Sequence, residues 1–414
     1  MSPYDVLVCG SGPGGVSAAV VAARSGLHVL LIEQSGTLGG YWTSGLMGIS
    51  LDMPGKGGIP REIVDALCAS GDAQWVDSAS YTYDIEAMKL LLEQMVLDAK
   101  VDVLLYSRVT SVTMQGDAIA SVHVDGPSVF DVHARWVIDG TGAGTIGSLA
   151  GCAFEQGVDG ASVHQPASLE ALVTGVPDSW KSDIHNVRRK EELFNLLQSV
   201  GVTASYTRPL LFKTSPSSDL FIFAVNHEFD IDCTDAVDMT KATLHARREI
   251  HQAVMALRTL PGWEHFCLAA TAEQLALRDS RRIKGIKRIT GEDLACGKAF
   301  PDGVVPCAFC VDVHALKRGD PEGKSPAGHA SKPYQLPMGA CIAADCKNLF
   351  MVGRCISGDF WANASYRVTC TASATGEAVA YAIASLGDRQ DNGAVQGAFV
   401  KQTMRDHGYV LREA

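Results

Sequence analysis

Two glycines separated by one residue, then a third, occur within Gly10-Ser-Gly12-Pro-Gly-Gly15, and an acid, Glu33, follows about twenty residues on. Residue types in this order suit a dinucleotide. A side chain at Gly10 or Gly12 would obstruct backbone N–H groups from reaching a pyrophosphate at a helix N-terminus. Gly15 lets helix and strand pack closely, and Glu33 is placed to accept hydrogen bonds from a pair of ribose hydroxyls. Three further groups could do chemistry. Asp312 and His314 lie two apart, so on an extended segment they share a side, and the carboxylate can support the imidazole as a general base or acid. Arg278, Arg281 and Arg282 could grip an anion, the spacing of the first two predicting one helical face. Cys307-x-x-Cys310 has the spacing of a redox pair, which in a disulfide reductase would need a second nucleotide motif for its reductant, and no second G-x-G-x-x-G follows a strand. The same pair lacks the second Cys or His pair of a zinc site, and no metal is expected.

The elements that must position these residues follow from pattern. Tyr4 to Cys9 reads as a buried strand, Val16 to Ser25 as a helix ending at Gly26, and His28 to Glu33 as a second strand, together the size of a βαβ unit. Apolar residues at helical spacing from Tyr83 to Lys100 precede three strand-like runs, Val101 to Tyr106, Val109 to Met114 and Ala118 to Val124, read as a β-meander. Ala134 to Asp139 is another buried strand running into Gly140-Thr-Gly142, and Asn348 to Val352 is one more, with Ala378 to Ser385 inside a C-terminal helix. Between them, residues 151–345 mix strands such as Leu220 to Val225 with an amphipathic helix near Thr240 to Leu260. The expected class is α/β: a Rossmann-like nucleotide domain of parallel sheet plus meander, built from 1–150 and 346–414, with an inserted α+β substrate domain over 151–345.

Composition bounds the rest. With 47% hydrophobic and 20% charged residues the chain is globular, and its net charge of −11 argues against a nucleic-acid partner. The first strand begins at Tyr4, no export signal is read before it, and no apolar run reaches the ~20 residues of a membrane span. The expectation is a cytoplasmic protein without membrane attachment, its twelve cysteines reduced and mostly in the core.

Four segments, Gly10 to Glu33, Leu38-Gly-Gly40, Val137-Ile-Asp-Gly-Thr-Gly142 and Asn348-Leu-Phe-Met-Val-Gly-Arg354, together resemble the glutathione-reductase-type FAD fold. More narrowly, Leu277-Arg-Asp-Ser-Arg-Arg-Ile283, Val311-Asp-Val-His314, Gly353-Arg-Cys-Ile-Ser357, Ser365-Tyr-Arg-Val368 and Ala372 to Ala380 are similar to the FAD-dependent oxidoreductase family of that superfamily. The resemblance spans nearly the whole chain and implies FAD as cofactor. It places Gly10, Gly12, Gly15 and Glu33 at the ADP end, with Gly39, Gly40 and Thr43 near the flavin. Gly353 and Arg354 fall near the ribityl-pyrophosphate, and Ser365, Arg367 and Val368 beside the pyrimidine edge, where a helix beginning near Arg367 would meet charge gathering on the reduced ring. Pro13, Gly14, Gln34, Val109, Thr141 and Gly142 are expected to complete the cofactor's surroundings. Asp139-Gly140 and Cys307-Ala-Phe-Cys310 depart from the family pattern, which puts the substrate pocket in more question than the cofactor site.

The favoured function is hydride transfer between flavin and a small polar metabolite at a C–OH, C–N or activated C–C bond, with His314, Asp312 and Arg281 as catalytic residues. Two other readings stay open, a flavoprotein resembling the tRNA-uridine modification enzymes, against which the acidic charge weighs, and a disulfide oxidoreductase using Cys307 and Cys310. A non-catalytic role with FAD as a structural element is a third.

Overall fold

The computed structural model describes residues 4–158, 163–181, 189–320 and 330–414. Tyr4–Cys9 (β1) is an apolar run buried along most of its length, the pattern of a strand covered on both faces. Pro13–Arg24 (α1) follows with Gly12 as its N-cap and proline in its first turn, where the absent N–H costs no intrahelical bond. Val29–Ile32 (β2) is wholly buried. Ile85–Asp98 (α2), capped by the Asp84 carboxylate on Glu86 N and Ala87 N, supplies the crossover a parallel neighbour of β2 requires, and Asp102–Leu104 (β3) is that neighbour. Ala134–Asp139 (β4) and Leu349–Met351 (β5) complete a five-stranded parallel sheet in the order β5-β4-β1-β2-β3. Its two halves come from opposite ends of the chain.

The meander differs from its sequence reading. The first of the three runs is drawn into the parallel sheet as β3, and the three antiparallel strands are Arg108–Gln115, Ala118–Asp125 and Phe130–Val132. The reason is the crossover: a strand leaving α2 runs alongside β2 in the same direction, so it cannot begin a hairpin with the next one.

Thr369–Ser385 (α3) lies against α1 almost backbone to backbone. A side-chain carbon on Gly376 would stand 1.9 Å from the Gly14 carbonyl oxygen, and Ser17 and Ser373 share a hydroxyl–hydroxyl hydrogen bond of 2.7 Å across the contact. Small residues at the crossing are what allow it.

The segment between β4 and β5 carries a four-stranded antiparallel sheet in the spatial order Leu210–Lys213, Phe221–Ala224, Ala171–Thr174, Cys267–Thr271, with the helix Ala236–Leu257 capped by Asp235. Leu172 stands opposite Ile222, so the two share a face. That face turns toward the Gly48 loop, because Ile222 Cγ1 lies 2.5 Å from where a Cβ on Gly48 would be. Glu170 precedes that strand and continues its pairing by accepting from Ala272 N at 2.9 Å, so alternation carried one residue beyond the strand puts it on the side of Leu172.

Replacing Gly376 by alanine is expected to force α1 and α3 apart and lower stability by about 1–3 kcal/mol in urea unfolding. A midpoint equal to wild type would show that the two helices do not meet at that position.

Candidate active site

The first cleft is formed where three strand ends meet. Gly10 adopts φ +92°, and an added Cβ there would lie 2.7 Å from Gly140 O; a Cβ on Gly15 would lie 1.9 Å from Gly10 O. Glycine at all three positions lets the turns after β1 and β4 touch. Gly12 is different. Its missing side chain would approach only Gly140 O, at 3.8 Å, and otherwise points into open space. The cavity beside it is lined by Gly10, Gly12, Pro13 and Gly14 from the first turn, Glu33 and Gln34 from the end of β2, and Gly40 and Tyr41. Val109, Thr141 and Gly142, then Gly353, Arg354 and Arg367, close the other sides. Of the residues expected to surround the cofactor, Gly15, Gly39, Thr43, Ser365 and Val368 do not line it. Gly15 packs on Gly10. Gly39, at φ +101°, caps the short 3₁₀ turn Gly40–Trp42, and the Thr43 hydroxyl donates to Leu38 O beneath that turn. Ser365 donates to Phe309 O at 2.6 Å and accepts from Tyr334.

Two helix N-termini face this cavity, and neither carries a side-chain cap. α1 opens on Gly12 and α3 on Val368, so α3 begins at Thr369, two residues beyond the expected start, and Thr369 and Ala372 join the lining. First-turn N–H groups without partners, gathered at the positive ends of two helices, form an anion site. A flat heterocycle carrying a diphosphate fits such a cradle, since the donors, the glycine opening and the acid are all present. Glu33 is almost fully buried and held in place: its Oε2 accepts from Ser11 N (2.9 Å) and Ser11 Oγ (2.7 Å), and its Oε1 accepts from Ser35 N (2.9 Å). Oε2 has both lone pairs used, and Oε1 keeps one for a ribose hydroxyl. Asp139 is fully buried; burial raises its pKa, and hydrogen bonds from the Thr141 hydroxyl (2.6 Å) and Gly147 N (3.0 Å) oppose that rise. It braces the β4 turn.

Arg354 spans the site. Nη1 donates to Leu277 O at 2.6 Å, the opposite edge reaches Gly142 O, and the guanidinium lies 4.6 Å over the Tyr41 ring. Arg367 donates through Nη2 to Asp312 O (2.9 Å) and Asp312 Oδ2 (3.0 Å). Burial pulls the Arg367 guanidinium down to about 10 against the opposing pull of Asp312. Asp312 also meets His314 Nε2 at 3.2 Å. Burial disfavours its charge, but the His314 hydrogen bond and the charges of His314 and Arg367 outweigh that and hold the carboxyl well below its usual range. Asp312 and His314 do not line the cavity; they stand behind Arg367, with His314 edge-on to His227 at 5.0 Å.

The arginine triplet is not helical: residues 277–281 have no regular structure, and the side chains diverge. Arg281 donates to Ala143 O at 3.3 Å, whereas the buried Arg282 pairs with Asp279 and binds Gly157 O and Gly358 O. Arg278 alone turns toward the inserted sheet, through Pro166 O (2.7 Å) and Ser168 Oγ (2.9 Å). Cys307 and Cys310 are separate thiols; burial pushes Cys307 up to about 12 and Cys310 upward as well, the reverse of an activated redox pair. Among the described residues, Glu228, His245 and Glu249 bring ligand-type atoms within 4.8 Å of one another, but they are bonded already, His245 to Glu228 and Ser205 to Glu249.

Sequence reasoning missed Tyr41 and Gln274, which line the cavity, and Glu170. Glu170 is nearly enclosed, Oε2 has no hydrogen-bond partner among the described residues, and burial raises its carboxyl from 4.5 to about 7, with Arg278 pulling the other way. A charged residue within an otherwise apolar strand, Leu169-Glu-Ala-Leu-Val173, was the available signal.

A family model described as FAD dependent oxidoreductase matches residues 5–397. The chain belongs to that family. FAD is therefore its cofactor, and the protein is a flavin enzyme. Its fold is similar to that of the flavin-dependent brominase Bmp2, with 15% identity, 98% of this chain and 83% of that chain covered, and a TM-score of 0.53. A geranylgeranyl bacteriochlorophyll reductase-like protein from Thermoplasma acidophilum is 13% identical over 98% of this chain and 84% of its own, with a TM-score of 0.49. A dihydrolipoyl dehydrogenase of Trypanosoma brucei brucei is 54% identical over 39 residues, 9% of this chain; the matched stretch spans only 8% of that protein. No helix among the described residues is long and apolar enough to cross a membrane.

Two expectations follow. Gly12→Val fills the opening beside the first helix end, so the purified variant should lose the visible flavin band while its far-UV circular dichroism stays that of wild type; retention of stoichiometric FAD would place the pyrophosphate elsewhere. Glu170 has a folded pKa above its ordinary value, so the stability it contributes is full below about pH 4.5 and is lost as pH rises toward about 7. Glu170→Gln should therefore match wild type in melting temperature near the acid end and gain on it up to neutrality. A constant difference across that range would show that Glu170 does not titrate there.

Proposed function

We propose that this flavoenzyme exchanges a hydride with a small polar metabolite, at a C–OH, C–N or activated C–C bond, and that the segment 151–345 is a substrate-covering domain set between the two parts of the FAD domain, 1–150 and 346–414. The observation that carries the reading is the chain Arg367–Asp312–His314, which joins the cavity lining to a proton-handling pair within hydrogen-bond distances. When bound, FAD supplies the two-electron acceptor or donor. The protein must then move a proton, hold the substrate and keep water out. His314 takes up or returns the proton, an imidazole held by a carboxylate being able to act as general acid or base. Asp312 fixes the ring through Nε2 and stays charged while it does so. Arg367, at the entrance of α3, and the first-turn N–H groups of that helix favour negative charge on the group they face. The inserted sheet closes the other side and excludes water.

Thiol chemistry is a weaker reading, because Cys307 lies buried with its thiol far from the thiolate form at neutral pH.

Anaerobic mixing of the holoprotein with small metabolites, watching the flavin band bleach, identifies the reductant. With it, His314→Ala should slow bleaching by about a hundredfold or more at unchanged FAD content, whereas Cys310→Ser should leave the rate at wild type. An unchanged rate in His314→Ala removes the residue from proton transfer.

A further inference from the structure

Buried polar atoms in folded proteins almost always find partners, and those that do not mark a missing ligand or water. Several such atoms lie on the segments that converge between the inserted sheet and the cavity. Glu170 Oε2 belongs to the residue just before the strand Ala171–Thr174, Ser44 Oγ to the loop after the Gly40–Trp42 turn, and Arg367 Nε to the head of α3. The segment 272–276 ties them together: Ala272 N donates to Glu170 O (2.9 Å), Glu273 N to Ser44 O (3.0 Å), and Gln274 between them lines the cavity.

Arg278 continues that segment. Only its Nη1 is used, on Pro166 O and Ser168 Oγ, and Ser168 is two residues from Glu170. The Nε and Nη2 edge, which can grip a carboxylate side-on, makes no hydrogen bond among the described residues. Glu170 and Arg278 do not pair with each other, for no nitrogen–oxygen distance between them falls within 4.0 Å, although each feels the other's charge. The remaining charge nearby is already spent, Asp312 being held by Arg367 and His314. Neither residue lines the cavity itself, but an unpaired acid and a half-used guanidinium flank the segment whose Gln274 does, and together they stand as a two-ended receptor.

Resting on the oxidoreductase reading above, we infer that the substrate is a small amino-carboxylate, its carboxylate held by Arg278 and its amine by Glu170. A compound of this kind brings the two charges that this pair lacks. The enclosed Glu170 carboxyl takes its negative form once an ammonium is beside it, which compensates the cost of burying that charge.

The test uses FAD-loaded protein under anaerobic conditions and a panel in four matched sets: α-amino acids with their N-methyl forms, the corresponding 2-hydroxy acids, simple amines, and dicarboxylates. Shift and bleaching of the flavin band are read for each. Amino-carboxylates alone should perturb the band, and with the best of them Glu170→Gln and Arg278→Lys should each raise the half-saturating concentration about tenfold or more at unchanged FAD content. A panel in which no amino-carboxylate shifts or bleaches the band overturns the proposal, as does an equal response to 2-hydroxy acids or to amines without a carboxylate. Unchanged half-saturation in both variants overturns it too. Bleaching by 2-hydroxy acids with loss of rate in His314→Ala would leave the oxidoreductase reading standing while this one falls; protein that takes up no FAD would bring down both.

Discussion

Everything in this molecule depends on the contact among Gly10, Gly15 and Gly140. The Gly10 carbonyl occupies the space a side chain on Gly15 would need, and Gly10 and Gly140 press together so closely that a Cβ on either would lie 2.7 Å from the other's carbonyl oxygen. Because three backbones meet with nothing between them, β1, α1 and β4 end at one point. The first-turn N–H groups of α1 then open sideways into a cavity instead of onto a side chain. The tight crossing of α1 with α3 carries the same economy further, since Gly14 and Gly376 bring a helix from the far end of the sequence alongside, and its own N-terminus reaches the same cavity.

An acidic chain with a net charge of −11 has to concentrate positive potential if it is to hold a dianionic diphosphate. It does so with few charges. Arg354 and Arg367 are tethered by carbonyl oxygens or a carboxylate, so their guanidiniums have fixed places at the lining. Two uncapped helix ends add partial charge that needs no side-chain ordering. Using backbone dipoles keeps the entropy cost low, because the helices are ordered by burial in any case.

The parallel sheet and the first turn were legible because they depend on local signals: glycines at fixed spacing, apolar runs, and one acid at the end of a strand. The same holds for the Asp312 and His314 pair, whose spacing on an irregular, extended segment brings them to 3.2 Å. The meander was misread at one strand, since Asp102–Leu104 carries only a weak pattern and its partner is chosen by the direction in which α2 delivers it. The arginine triplet was misread for a different reason. Spacing of three implies a shared face only on a helix, and residues 277–281 are held out of helical form by long-range hydrogen bonds: Leu277 N donates to the Tyr41 hydroxyl, Arg354 to Leu277 O and Arg278 to Pro166 O. Glu170 gave one local signal, a charge within the apolar run Leu169 to Val173, but its burial and its unpartnered oxygen appear only in three dimensions.

Comparison of the buried carboxylates shows what the fold requires for itself. Asp52 is satisfied by Lys56, Thr371 and Ala308 N; Glu377 by Ile59 N and the hydroxyls of Tyr381 and Tyr409; Glu249 by Ser205; Asp139 by its own turn. The first three brace segments that sequence keeps apart and Asp139 braces its own turn, and each is bonded through both oxygens. Glu170 braces nothing. An acid that stabilises the fold is expected to be bonded within it, because leaving one oxygen bare in the interior costs about 1–3 kcal/mol. Glu170 therefore stands apart from the carboxylates that hold the fold, its Oε2 without a partner among the described residues, which is the feature that the proposed amino-carboxylate site uses.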